Sequence, residues 1–489
     1  MNLKQLLSRT ASKFPANTAI ISGNQRITYR ELDEASNRIA NFLTGLGIKR
    51  GDRVAMLLAN CPEFAYFYFG IAKCGAAPVP LDTRYKSGEI QSIFASCTPE
   101  ILVSDTPLLE PLLASLPGLP TLRHIISISS EHEDRFLTYP QCVRGSSATD
   151  HALEPSPRDL GLISYTSGPS IHPKGSAINH ENLCRLADAS GNSFEQTAED
   201  RVMMFALPMY HNFSLGSLLL TSISLGSTLV LVPGTGMSIS SLMETVDKER
   251  GTIWVGVPYI FALAVKIARD EGVKHDLSSL RLCVSGGAPL PVETIEQFRE
   301  HYGLTICDAW GLTEAVSHVT CQPVSGLKKL GSCGKALSGY ELNIVDDYDK
   351  ELPAGVSGEV LVKGPMIDCY YNNPEATAKT KDNGWLHTGD LGYLDEDGYL
   401  FLTGRKKNMI IFKGQNVYPV DIEETLLTHP RVAGARVTGV QDRLRGEIVH
   451  ARVKLKKGET VTEQEIKHFC MERLADYKAP REIEFVESL

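Results

Sequence analysis

Four short stretches of this 489-residue chain combine hydroxyls, glycines, carboxylates and single basic residues at loop-like spacing. In "SYTSGPSIHPKGS", residues 164–176, Thr166, Ser167, Gly168 and Ser170 precede Lys174. Hydroxyls, backbone N–H groups and one positive charge in that order can wrap phosphate oxygens. The spacing is not a Walker A loop, which needs Gly-Lys-Ser/Thr at the opening of a helix. By itself, a Ser/Thr-rich loop ending in lysine is equally an ordinary surface turn. "SGGAPLP", residues 285–291, follows the apolar run "LRLCV", so bare backbone at Gly286 and Gly287 can press against a flat ring. "DAWGLTEA", residues 308–315, sets an acid, an aromatic, a hydroxyl and a second acid within one turn. "GWLHTGDLGYLDEDGYLFLTGR" adds Asp390 in a tight Thr-Gly-Asp turn and Arg405 after another glycine. Singly, Trp310 reads as core filler, Asp390 as a turn residue and Glu314 as a solvated helix start. In combination and in this order they read as a nucleotide site.

Such loops need a rigid frame. "TYRELDEASNRIANFLTGLGIKRGDRVAMLL" reads as helix, glycine stop, strand, and "EFAYFYFGIAKCGAAPVPL" repeats the plan. "TIWVGVP", "LRLCVSGG" and "LTICDAWG" are further apolar runs ending in glycine or proline. This alternation predicts α/β layers with mainly parallel, covered strands, whose C-terminal ends are where ligands bind. From about residue 331 shorter, glycine-punctuated strands predict a β-rich piece. The basic, glycine-bracketed "GRKKNMIIFKGQNVYP", residues 404–419, marks a domain boundary. Beyond it the pattern predicts two helices and three or four strands, enough for a small separate domain.

The bulk composition narrows the function. At this length two or more domains are expected, and 43% hydrophobic with 22% charged residues describes a soluble globular protein. A formal charge of −9 argues against nucleic acid or an anionic membrane as partner, since both require a basic face. Eleven cysteines without a Cys-x-x-Cys pair read as free thiols in a reducing, cytoplasmic compartment. "MNLKQLLSRTASKFP" reads as an amphipathic helix with Leu3, Leu6 and Leu7 on one side, not as a secretion signal. Between Val202 and Thr245 the only charge is Glu244, but the run is studded with Ser, Thr and Gly. A buried helix followed by a buried strand is expected there rather than a membrane span.

Through these ordered motifs the chain resembles, over essentially its whole length, the adenylate-forming superfamily of acyl-CoA synthetases, peptide-synthetase adenylation domains and firefly luciferase. The resemblance implies an α/β fold: a large N-terminal domain, residues 1–404, of two doubly wound subdomains plus a β-barrel-like subdomain, then a small α+β mobile C-terminal domain, residues 405–489. It implies ATP, Mg²⁺ and coenzyme A as cofactors and a small carboxylic acid as substrate. Thr166, Ser167, Gly168, Ser170 and Lys174 would face the ATP phosphates. Gly286, Gly287, Ala288 and Pro289 would line the adenine. Asp308 would meet its amino group, and Trp310 would stack on the ring where the family usually has tyrosine. Ala309, Gly311 and Leu312 complete that strand end, Thr313 would touch the α-phosphate, and Glu314 would hold Mg²⁺. Asp390 would accept the ribose hydroxyls, helped by Arg405. Tyr210, His211 and Val255, with Gly287 and Gly311, would contact the acid. Lys407 takes the hinge position and Gly414 the thiol channel, and Thr166, Lys174, His211 and Glu314 form the catalytic set.

By this resemblance an acid is activated to acyl-AMP with release of pyrophosphate and then passed to coenzyme A; a homodimer is compatible with such a chain. The apolar and aromatic runs around His211 and Tyr259 suit an aliphatic or aryl acid, because an amino acid's ammonium would require an aspartate that "NFSLGS" lacks. Three departures stand out. Pro169-Ser170-Ile171 replaces the family's flexible Thr-Thr-Gly, so the loop reads as working but stiffer. The family's C-terminal adenylation lysine has no match before Leu489, so the chain reads as truncated ahead of it. Asn408 stands where the family commonly has aspartate. Two other readings stay open at this point: transfer to a carrier protein or an unusual nitrogen acceptor, and a non-catalytic nucleotide-binding relative.

Overall fold

The structure, a computed structural model, describes the chain except residues 114–120, 130–135, 166–173, 233–237, 407–408, 443 and 488–489. Among the described residues the strands form five sheets. The largest has nine strands. Its centre is parallel, running Ile306–Gly311, Leu282–Ser285, Ile253–Gly256, Arg201–Met204, Thr228–Leu231 and Thr18–Ser22. A second sheet, all parallel, is built on Arg53–Leu57 with Ala77–Pro80 and Ile101–Ser104 beside it. These are the β-branched apolar runs of the sequence. They are parallel because helices cover both faces and bury every residue of strands such as Ile253–Gly256 and Leu282–Ser285.

The helices follow the expected punctuation. Tyr29–Gly45 starts at a capping box in which Thr28 and Glu31 satisfy each other's backbone N–H groups. Leu3–Lys13 buries Leu3, Leu6 and Leu7 completely, on the side their spacing predicts. The segment that resembled a membrane span is a helical run, Asn212–Ser214 with a π-helical stretch Leu215–Leu220 and Thr221–Leu225, followed by the buried strand Thr228–Leu231. Among the described residues no helix is long and apolar enough to cross a membrane. All eleven cysteines are free.

From about residue 331 the strands pair antiparallel except for Glu482–Phe485, as their shorter, glycine-punctuated runs suggest. Glu341–Val345, Gly358–Lys363, Trp385–Leu394 and Leu400–Arg405 make one sheet with Lys381–Asp382 at its edge. Residues from Ile410 onward form a sheet and core of their own, with the helices Pro419–Leu427 and Glu463–Met471. That sheet has five strands, where three or four were expected. The additional pairing is Glu482–Phe485, which adds parallel to Gly446–Leu455 and is too short to be read from its pattern alone.

Two local readings are corrected. The Thr-Gly-Asp segment is not a free turn: Asp390 lies inside the strand Trp385–Leu394, directly across from Arg405. Gly389, with φ +72°, kinks that strand without ending it. "DAWGLTEA" is not one turn but the end of the strand Ile306–Gly311 followed by a 3₁₀ turn, Thr313–Ala315. Gly311 makes this possible. A Cβ there would fall 2.1 Å from the Ser317 carbonyl oxygen and 2.4 Å from the His318 Cα, both backbone atoms that cannot swing aside. Gly311→Ala should therefore cost about 2 kcal/mol or more in stability, an overpacking penalty without a flexible neighbour to absorb it. Calorimetric melting checks this; an unchanged transition would contradict the close backbone approach.

Candidate active site

The residues expected to do chemistry gather at the C-terminal ends of the central parallel strands. The Gly286 N–H donates to the Gly256 carbonyl at 3.1 Å, tying the loop after one strand to the end of its neighbour. A Cβ on Gly286 would approach the Phe213 ring to 3.1 Å and the Ala309 carbonyl to 3.2 Å, so this glycine serves internal packing. Gly287 and Pro289 are exposed and Ala288 is half-buried, so these three are open to solvent, with Gly414 facing Gly287. Val255 does not reach this face. It is fully buried inside its strand, and the valine at the cleft is Val257, beyond the strand end, where the chain emerges from the sheet.

Asp308 and Trp310 also turn inward. Asp308 is buried, accepts from the Ala309 N–H at 3.0 Å, and has its carboxyl pushed well above the usual range by burial. Trp310 is 5% exposed and sits in the main core, so its ring is not an open stacking platform. Its indole N–H donates to Asp390 Oδ2 at 2.8 Å. The other Asp390 oxygen pairs with Arg405 Nε at 2.7 Å. Burial raises the Asp390 carboxyl, while Arg405 and the Trp310 N–H oppose the rise. Arg405 keeps one buried guanidinium nitrogen without a hydrogen-bond partner.

Glu314 is half-buried on the 3₁₀ turn beside Leu312 and Thr313. Its Oε1 accepts from the Tyr370 hydroxyl at 2.6 Å, and its carbonyl accepts from the Ile367 N–H at 2.8 Å. The Lys174 ammonium lies 5.4 Å from the centre of the same Tyr370 ring. One tyrosine thus joins the expected phosphate lysine to the expected metal carboxylate. Among the described residues no three His, Cys, Asp or Glu side chains group as a metal cage. A lone half-buried carboxylate suits Mg²⁺, which takes one or two carboxylates and completes its shell with phosphates and water. Thr166, Ser167, Gly168, Ser170 and Lys407 lie outside the described residues.

On the acid side, His211 caps the helix Asn212–Ser214, its Nδ1 accepting from the Phe213 N–H at 3.2 Å. Burial lowers its pKa, so the ring is neutral at pH 7 and Nε2 carries the proton. Tyr210 donates to Asp82 Oδ1 at 2.9 Å. Arg84 binds both oxygens of Asp82, at 2.9 and 2.6 Å, and donates to Gln415 Oε1 at 2.8 Å. Gly414, with φ +79°, sits directly above the cleft: its carbonyl oxygen is 3.7 Å from where a Gly287 Cβ would be, and its own Cβ would strike Val257 Cγ1 at 2.8 Å. Tyr370, Asp82 and Arg84 escaped the sequence reading, whereas Val257 lies in the apolar run around Tyr259 that was expected beside the acid. The signal for the second and third was present, since "PLDTRY" follows a strand of the parallel type whose C-terminal loops bind ligands. Tyr370 had none, because its partners are 56 and 196 residues away in sequence.

One outcome follows from the Asp390 geometry. Trp310→Phe keeps an aromatic ring and removes the donor, so the carboxyl should rise further. Ionised Asp390 would then survive only at higher pH, and the acid limb of ATP binding, titrated from pH 5 to 8, should move upward. An unmoved limb would show that the hydrogen bond does not govern this carboxylate.

The AMP-binding enzyme family matches residues 7–371, and the AMP-binding enzyme C-terminal domain matches residues 421–489. A long-chain-fatty-acid–CoA ligase of Bacillus subtilis is 30% identical over 100% of this chain and 91% of its own. Among solved structures, a double mutant of o-succinylbenzoate CoA synthetase from Bacillus subtilis, bound with its product analogue, aligns with a TM-score of 0.86 at 28% identity, over 99% of this chain and 95% of that one. The amide bond synthetase McbA from Marinactinospora thermotolerans aligns with a TM-score of 0.90 at 26% identity, over 100% and 96%. The first match spans the segments of Lys174, Gly286–Pro289 and Asp308–Glu314 and the second the helices and most strands of the small C-terminal sheet, so the chain belongs to the AMP-binding enzyme family of the adenylate-forming superfamily.

Proposed function

We propose that the cleft beneath Gly414 joins a carboxylic acid to coenzyme A in two steps, making the protein an AMP-forming acid–thiol ligase. The observation that carries this is the gathering of Glu314, Tyr370 and Lys174 beside the Asp390–Arg405 pair, with Glu314 close enough to Asp390 to oppose its ionisation. In the first step a carboxylate oxygen attacks the α-phosphorus of ATP and pyrophosphate leaves. Negative charges converge there, and Lys174 opposes them from the phosphate side. Bound at Glu314, Mg²⁺ would supply the remaining charge neutralisation. Asp390 offers the lone pairs left by Trp310 and Arg405 to the ribose hydroxyls, and Thr313 lies one residue before the metal carboxylate. The neutral His211, with its proton on Nε2, donates toward the carboxylate of the acid.

Tyr210, Phe213 and Val257 make the acid side apolar. Asp82 is already neutralised by both nitrogens of Arg84, so it is not available to an ammonium, which supports an aliphatic or aryl acid over an amino acid. In the second step the thiol attacks the acyl carbon and AMP leaves. The thiol's approach is assigned to the side of Gly414, whose missing side chain lets its backbone pack directly on Val257 beside Gly287. We assign residues 405–489 to a mobile domain turning at Lys407, because one arrangement cannot serve both steps. The free cysteines suit a reducing compartment, and the cytoplasm is the proposed location.

Glu314→Gln removes the carboxylate without changing side-chain volume and should abolish pyrophosphate release while leaving the fold intact. Release within about threefold of wild type, less than ~1 kcal/mol of barrier, would overturn the metal assignment. Lys407→Pro should separate the two half-reactions, since proline fixes φ where rotation occurs. Pyrophosphate exchange is expected to persist, while transfer of preformed acyl-AMP to coenzyme A falls at least tenfold. Equal losses in both would indicate misfolding, and no loss in either would place the hinge elsewhere.

A further inference from the structure

Besides the contact of Gly414 with Val257, the small C-terminal sheet meets the large domain at the stretch Arg84 to Glu89, which faces the consecutive residues Asp476, Tyr477 and Lys478. Lys86 Nζ is 3.2 Å from Asp476 Oδ1, the Arg84 guanidinium is 4.3 Å from the centre of the Tyr477 ring, and Lys478 Nζ is 2.6 Å from Glu89 Oε1. The first contact is exposed and contributes little. The last is different. The Lys478 and Glu89 side chains are 2% and 4% exposed, and removing either partner of a buried pair leaves an uncompensated charge in the interior. Tyr85 packs against the cores on both sides of this junction.

A third carboxyl lies next to the pair. Asp421, on the helix Pro419–Leu427, is fully buried, has neither oxygen hydrogen-bonded, and stands 3.6 Å from Lys478 Nζ. Burial pushes its carboxyl up to about 8. Asp421 and Lys478 both belong to the small sheet's own core unit and move together, whereas Glu89 belongs to the helix Ser87–Cys97 of the large domain. A rotation of the small domain separates Lys478 from Glu89 and leaves Asp421 within reach.

We propose that Glu89 and Lys478 are positioning residues for the thiol-transfer step: their buried ion pair holds Gly414 over Gly287, and Lys478 passes to Asp421 when the small domain turns away. This rests on the two-orientation reading given above. With Glu89 out of reach, Asp421 loses one of the causes that hold its proton, releases that proton to water and carries the charge opposite the lysine, so neither orientation strands a buried cation. The exchange also makes the orientation seen here the one that Glu89 selects.

Glu89→Gln in the full chain is the decisive variant, because glutamine keeps the cap that Glu89 Oε2 provides to the Lys86 N–H at 3.0 Å, removes only the charge, and leaves Lys478 with Asp421. Transfer of isolated acyl-AMP to coenzyme A should fall about tenfold or more, while ATP–pyrophosphate exchange stays level or rises. Lys478→Gln should add nothing to Glu89→Gln in the double variant if the two act as one pair. Equal losses in both half-reactions would make the pair merely structural, and no loss in either would make it idle; both results overturn the proposal. Lys407→Pro separates the causes of failure. If it splits the half-reactions and Glu89→Gln does not, rotation stands and the latch falls; if neither splits them, the two-orientation reading falls with it.

Discussion

A carboxylate taken out of water needs compensating charge or hydrogen bonds, and Asp390 sets that demand at the centre of this molecule. It is 5% exposed, and burying an unpaired charge would cost several kcal/mol. Trp310 and Arg405 meet the need from two different segments: the end of a parallel strand in the large sheet and the last strand of the antiparallel sheet. The pairing therefore fixes how those two sheets face one another. Because Arg405 closes its strand, it also fixes where the chain departs toward the small C-terminal sheet. The remaining groups arrange themselves around that anchor.

The division of labour follows from distance and burial. The groups to which the proposal gives ligand roles, Glu314 and Lys174, are linked through the ring and hydroxyl of Tyr370. Groups that organise the frame, Asp308, Trp310 and His318, are buried; His318 is pushed down to about 3 by burial and is a neutral ring stacked on Phe194. Burial thus separates scaffold from chemistry within one short sequence. Trp310 and Glu314 are four residues apart, yet one faces the core and the other the cleft.

What was legible in the sequence was whatever is written locally. Continuous β-branched runs closed by glycine became parallel strands, and the Thr28–Glu31 capping box became a helix start. The errors have one cause. Thr-Gly-Asp is a turn by local preference, but the cross-strand partner Arg405 holds Asp390 in a sheet. Val255 looked like a pocket wall because apolar residues do line pockets, but register places it between Met204 and Val284 and hands the cleft to Val257 two residues later. Tyr370, Asp82 and Arg84 gain their meaning only from partners far along the chain. The phosphate loop, the hinge and the roles of Lys174 and Glu314 were expected from family resemblance, not from periodicity.

The proposed chemistry stands or falls on an acid being activated on phosphorus and then handed to a thiol. The direct measurement is AMP and pyrophosphate release over a panel of aliphatic and aryl acids, with no acceptor, with coenzyme A, and with an amine. The prediction is pyrophosphate without acceptor limited to about one equivalent of enzyme, sustained AMP release with coenzyme A, and a thioester as product. Sustained release with the amine but not with coenzyme A, or no pyrophosphate with any acid, would contradict it.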